Sequence, residues 1–130
     1  MLLFGHRFIK SENFYHISDI DAIIKTPPSS TLYVEFCEEN LDIISYIKEN
    51  NIHFALIINN LTELIYASAL DAKYIIVDKE LASSAQSIAE TYLFDAKILV
   101  TIEDDNEIEE LATIGIDGVI YAHAIVKISS

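Results

Sequence analysis

Asp71-Ala72-Lys73-Tyr74-Ile75-Ile76-Val77, Asp95-Ala96-Lys97-Ile98-Leu99-Val100 and Asp117-Gly118-Val119-Ile120-Tyr121 repeat one pattern, an acidic residue followed by an apolar run. A looser version begins at Asn51. The restarts lie roughly 20 to 24 residues apart, the length that one strand plus one returning helix consumes. Each run is apolar without clean alternation, which marks a strand covered on both faces, so the repeat predicts a parallel sheet flanked by helices.

Between the runs the helices are equally legible. Asn60 with Glu63, and Asp104 with Glu107, have the capping-box spacing, and Asp78 stands where the next helix starts. Leu41, Ile43, Ile44 and Ile47 share one face, as do Leu61, Leu64 and Ile65, then Leu81, Ala85, Ile88 and Tyr92, then Ile108, Leu111 and Ala112 before Gly115 ends the last helix. Upstream, residues 2–9 and 14–17 read as strands around a turn at 10–13, which predicts a hairpin. A short helix over 19–25 must stop before Pro27-Pro28, and residues 32–37 form the next strand. Residues 125–128 are long enough for a last edge strand.

The fold class expected is α/β: a mostly parallel sheet of about five βα repeats, either partial TIM-barrel-like or open doubly wound, with an N-terminal hairpin and a single domain over 1–130. A complete (βα)8 barrel usually takes about 200 residues or more. A partial one leaves an edge or a mouth that a second copy could cover.

Composition narrows the function classes. Apolar residues make up 52% and charged residues 22%, a globular balance. Twenty-one acidic residues against eight basic ones give a net charge of −13, which repels phosphate backbones and anionic lipid, so neither nucleic acid nor membrane is an expected partner. No apolar run is long enough to span a bilayer, and the start lacks a secretory pattern, so a soluble cytoplasmic protein is expected. Cys37 has no partner for an internal disulfide.

Sites in parallel α/β folds form just beyond the carboxyl ends of strands. Those positions hold Glu38, Asn59, Asn60, Asp78, Glu103, Asp104 and His123, with Glu35 inside its strand. As binding candidates, Glu35, Asn59, Asp78, Glu103 and His123 share one rim, and Glu35, Asp78 and Glu103 could ligate Mg²⁺ or Ca²⁺ through carboxylate oxygens. The plainer reading makes most of them helix caps. Glu35 resists it, because a carboxylate between Val34 and Phe36 should face the mouth or meet a cation, with Arg7 the nearest match in setting. The chain has no G-x-G-x-x-G, no zinc-ligand spacing among its four histidines and no G-x-S-x-G elbow.

Gly5-His6-Arg7, Val34-Glu35-Phe36 and Gly115-Ile116-Asp117-Gly118-Val119-Ile120 resemble segments of the glycerophosphodiester phosphodiesterase barrels. The resemblance implies a general acid or base at His6, a phosphate contact at Arg7 and a metal ligand at Glu35. It departs where Phe8 replaces a glycine, where Cys37 replaces a metal-binding aspartate, and where a second histidine is missing. As a whole the chain resembles a group of short epsilon-proteobacterial proteins, through His6-Arg7-Phe8, Leu93-Phe94-Asp95-Ala96-Lys97 and Gly115-Ile116-Asp117-Gly118, and no activity comes with that likeness. The expectation is a non-catalytic interaction or scaffold module that self-associates, a homo-oligomer or protein-partner binder without cofactor. The alternative is a metal-assisted phosphodiesterase-like enzyme using His6, Arg7, Glu35 and either Asp78 or Glu103.

Overall fold

Every long helix of this chain ends in the same way, and that ending produces the repeat. In the computed structural model, which describes residues 1–129, Asn51, Asp71, Leu93 and Gly115 have φ of 54°, 67°, 55° and 87°. After each, the next N–H reaches back to a helix carbonyl: Ile52 to Ile47, Ala72 to Ala67, Phe94 to Ala89 and Ile116 to Leu111. This is the left-handed C-cap that turns a helix sharply into the following strand, and Ile52, Ala72, Phe94 and Ile116 cover the helix end.

The elements are β1 (Leu2–Phe4), β2 (Phe14–His16), α1 (Ile20–Ile23), β3 (Thr31–Glu35), α2 (Leu41–Glu49), β4 (Phe54–Ile57), α3 (Leu61–Ala69), β5 (Tyr74–Val77), α4 (Lys79–Thr91), β6 (Lys97–Ile102), α5 (Glu107–Ile114), β7 (Gly118–Tyr121) and β8 (Ile125–Lys127), with 3-10 turns at Glu38–Asn40 and Ala122–Ala124. The eight strands make one all-parallel sheet in the order β1-β7-β6-β5-β4-β3-β2-β8.

From β2 to β7 each strand lies beside its successor, so the winding runs in one direction, without the reversal that defines a doubly wound sheet. The sheet therefore curls. Phe4 lies on one edge strand and Phe14 next to the other edge, yet their rings are 5.0 Å apart, and Tyr74 on β5 touches both at 5.4 and 5.2 Å. Two cores result. Tyr33, Ala55, Ile76, Leu99 and Ile120 join the three rings inside the curl, whereas Leu32, Val34, Leu56, Ile75, Ile98 and Val119 point outward to the helices. A strand has residues on both lists because neighbouring side chains face opposite ways.

Three expectations are corrected. The parallel strands number eight among the described residues, three more than the repeats suggested, because β1, β2 and β8 pair with the sheet although they lack full helical crossovers. β1 and β2 form no hairpin: Leu2 is in register with Gly118 and Phe14 with Thr31, both parallel. β1 can lie so close to β7 because a Cβ on Gly118 would sit 2.7 Å from that of Leu2. Finally, Leu41, Ile65 and Tyr92, read as buried stripe positions, are 40%, 43% and 70% exposed. The inner, narrower half of each stripe suffices: Ile43, Ile44 and Ile47 on α2, Leu64 and Ala67 on α3, and Ala82, Ala85 and Ala89 on α4 cover the sheet.

Candidate functional site

Because the strands are parallel, every helix N-terminus falls on the carboxyl rim, where its free N–H groups need acceptors. Two rim side chains, Asp78 and Asn60, serve that need directly. Asp78 Oδ1 accepts the Leu81 N–H at 3.0 Å. Asn60 Oδ1 accepts from Glu63 N–H, and the Glu63 carboxylate accepts from Asn59 N–H, both at 2.9 Å. The N–H groups of Glu103 and Asp104 donate to Glu107 at 2.9 and 3.0 Å, and Lys79 Nζ lies 2.8 Å from the same carboxylate. The lysine first and the two N–H groups after it hold the Glu107 carboxyl at about 2. The Asp78 side chain is thus bound into the start of α4, whereas Glu103 and Asn59 join the starts of α5 and α3 through their backbone N–H groups alone.

Glu35 ends β3 on the same face as Tyr33 and is exposed at the mouth of the curl. It does not meet Arg7, which pairs elsewhere. Its electrostatic neighbours are His16 and Tyr33. His16 is in register with Tyr33 on one side and Lys127 on the other, and its ring stands edge-on to Tyr33 at 5.2 Å. Burial lowers the His16 pKa, Glu35 opposes that shift and Lys127 adds to it. Burial pushes the Tyr33 hydroxyl up, a shift that Thr101 on β6 opposes and Glu35 adds to. Sequence reading missed His16 and Lys127. Both sit at the ends of three-residue strands whose inward parity cannot be set without knowing their partners.

The second group gathers His6, Arg7 and His123 at the ends of β1 and β7, around a carboxylate that no motif indicated. Asp105 Oδ2 lies 3.5 Å from His6 Nε2 and 3.6 Å from Arg7, and Asp105 Oδ1 accepts the Tyr121 hydroxyl. The Tyr121 hydrogen bond, aided by His6 and Arg7, holds the Asp105 carboxyl below its ordinary value. Burial, with Asp105 as second cause, pushes Tyr121 up to about 12. His6 Nδ1 accepts the Phe8 N–H at 3.1 Å, which leaves the Nε2 proton facing Asp105. His123 Nε2–H donates to the Gly5 carbonyl at 2.7 Å.

Around these ties stands Phe8. Its ring has the Arg7 guanidinium 4.5 Å from its centroid and the His6 ring at 4.7 Å, yet it is 75% exposed. Among the described residues, no three of His, Cys, Asp and Glu are grouped so as to hold a metal ion, and no helix is long and apolar enough to cross a membrane. No protein-family model matches the chain, and no curated protein is similar to it.

Proposed function

We propose that this chain is a non-catalytic interaction module that self-associates. One observation carries the reading: His6 and Arg7, the residues with the best sequence claim to chemistry, hold an aromatic side chain out in water. An exposed phenyl ring costs solvation free energy, and fixing it with an imidazole, a guanidinium and a buttressing carboxylate adds order that only a partner surface uses. The rim acids support the same view. Asp78 accepts the Leu81 N–H of α4, and Glu63 and Glu107 accept backbone N–H groups just ahead of α3 and α5, a role that leaves them poorly disposed as general bases.

Light scattering after gel filtration, over a range of concentrations, tests the proposal. A dimer or larger species that dissociates on dilution is expected. A strict monomer at the highest concentration reached would refute self-association.

A second reading rests on the mouth. Lys127, His16 and Glu35 share the inner face of three adjacent strands, a mixed-charge set suited to a small zwitterion or anion rather than to a divalent metal. Saturable shifts of the His16 ring resonances on titration with inorganic phosphate or an amino acid would support it, and unmoved resonances would remove it.

A further inference from the structure

The outer side of α2 and α3 carries an apolar groove of about 420 Å³, lined by Phe36, Glu38, Leu41, Tyr66, Ala69 and Leu70. The Phe36 and Tyr66 rings lie 6.0 Å apart along it, and Leu41 and Tyr66 are 40% and 51% exposed. Two of the apolar positions that sequence reading assigned to the core, Leu41 and Ile65, are left in water on these same two helices. Acids border the groove at the start of α2, where Glu38, Glu39 and Asp42 are all exposed.

We infer that this groove receives the Phe8 loop of a second copy of the chain. The inference rests on the self-association reading and names its contacts. Three observations support it.

The loop is charge-complementary to the groove. Arg7 and Lys10 flank Phe8 and Ile9, two of only eight cations in a chain of net charge −13. Two such chains repel in most orientations, and a basic loop meeting the acid border is one approach in which unlike charges face each other.

The loop is also preorganised. Phe8 N–H donates to His6 Nδ1 at 3.1 Å, Ile9 N–H donates to the His6 carbonyl at 3.0 Å, and Asp105 holds both His6 and Arg7. Ordering an interface side chain ordinarily opposes binding, and here the ring is ordered beforehand. Arg beside an aromatic anchor is moreover the composition of an interface hot spot.

The sizes fit. A cavity of about 150 Å³ accepts a benzene ring, so the groove holds the Phe8 phenyl with space left for the exposed Ile9.

Sedimentation velocity on the full chain tests this with four variants. Phe8→Ala, in the loop, and Leu41→Glu, in the groove, should each weaken self-association at least about tenfold. Both positions are exposed, and circular dichroism and thermal melting establish that each variant folds. Lys10→Glu and Glu38→Lys should each weaken association as well, and the double variant should recover most of the loss, which a general change of net charge would not produce. An oligomer insensitive to Phe8→Ala and Leu41→Glu would overturn the docking while leaving self-association standing. Sensitivity at Phe8 without sensitivity at Leu41 would overturn it too, by sending the ring to another surface. A wild-type monomer would remove both readings and leave the groove to a foreign basic, aromatic partner.

Discussion

Replacing Leu93 by glycine should stabilise this protein, and replacing Gly115 by alanine should destabilise it, although both positions make the same turn. At Leu93, φ is 55°, its N–H bonds the Glu90 carbonyl at 3.3 Å and Phe94 N–H bonds Ala89 at 2.9 Å; at Gly115, φ is 87°, with Ala112 and Leu111 in the corresponding roles at 3.0 and 3.3 Å. A non-glycine residue in the left-handed region costs about 1–2 kcal/mol. Glycine returns about 0.4–1 kcal/mol of that through the extra freedom of the unfolded chain. Leu93 is 83% exposed, so removing its side chain forfeits only about 0.3 kcal/mol of burial. The net is about +0.5 kcal/mol for Leu93→Gly. For Gly115→Ala no atom lies within 4 Å of the added Cβ, so backbone strain alone acts and the net is about −1 kcal/mol. With an unfolding entropy of about 0.27 kcal/mol/K for a chain of this length, the two melting temperatures should move about 2 °C up and about 4 °C down. Differential scanning calorimetry reads both. A Leu93→Gly variant melting below the wild type would refute the claim that the left-handed cap, not the identity of its side chain, governs these turns.

Other predictions address single contacts. Glu107 has a folded pKa near 2 against an ordinary value of 4.5, so its contribution to stability is whole above the ordinary value and is lost as pH falls from about 4.5 through about 2; Glu107→Gln should flatten the stability profile in that window, as urea titrations at stepped pH would report. Gln86 is 4% exposed and its Oε1 accepts the Asp117 N–H at 2.9 Å; Gln86→Met keeps the volume and orphans that N–H, so it should cost about 1–3 kcal/mol and speed exchange of the Asp117 amide, and a neutral result would dissolve the assigned role. His16 should titrate below the ordinary histidine range, still lower in Glu35→Gln and higher in Lys127→Met, because the carboxylate raises and the ammonium lowers its pKa; NMR of the imidazole protons would expose either sign as wrong.

The central architecture was legible because its signals are local. Each βα unit carries its strand run and its turn within a window of about 22 residues, and Asn60, Asp78 and Gly115 fall where their chemistry places them, whereas α5 begins after Asn106 without the side-chain cap expected from Asp104. The terminal strands lacked such support. β1, β2 and β8 are three residues each, and their partners are set by closure of the curl: β1 against β7 at one edge, β8 against β2 at the other. A turn signal between two short apolar runs suggests a hairpin, and nothing in residues 5–13 reveals that the next strand will cross to the far side. The candidate site divides in the same way. His6 and Arg7 were found because they adjoin in sequence, whereas Asp105, which binds both, sits 98 positions after Arg7 in a loop where its neighbours look like caps.

The acidity of this chain has a structural origin, and that origin bears on its partners. In a parallel sheet all helices point their N-termini one way, and acids stabilise that end of the dipole. Asp21 on α1, Asp42 on α2, Glu63 on α3, Glu80 on α4 and Glu107, Glu109 and Glu110 on α5 all lie in first turns, so much of the net charge is gathered toward the carboxyl rim. A crowd of carboxylates there is what the fold demands and is no sign of metal or acid-base chemistry. Helix capping does not require a basic, aromatic loop on that same rim. Arg7, Phe8 and Lys10 run against the local charge and, for Phe8, against the tendency of rings to be buried, and the cluster around Asp105 holds Arg7 and Phe8 there. On the proposed self-association, a feature that opposes both the electrostatics and the solvation of its surroundings is accounted for by contacts made outside the monomer. That is why Phe8, and not the acidic rim, is the residue on which function should first be tested.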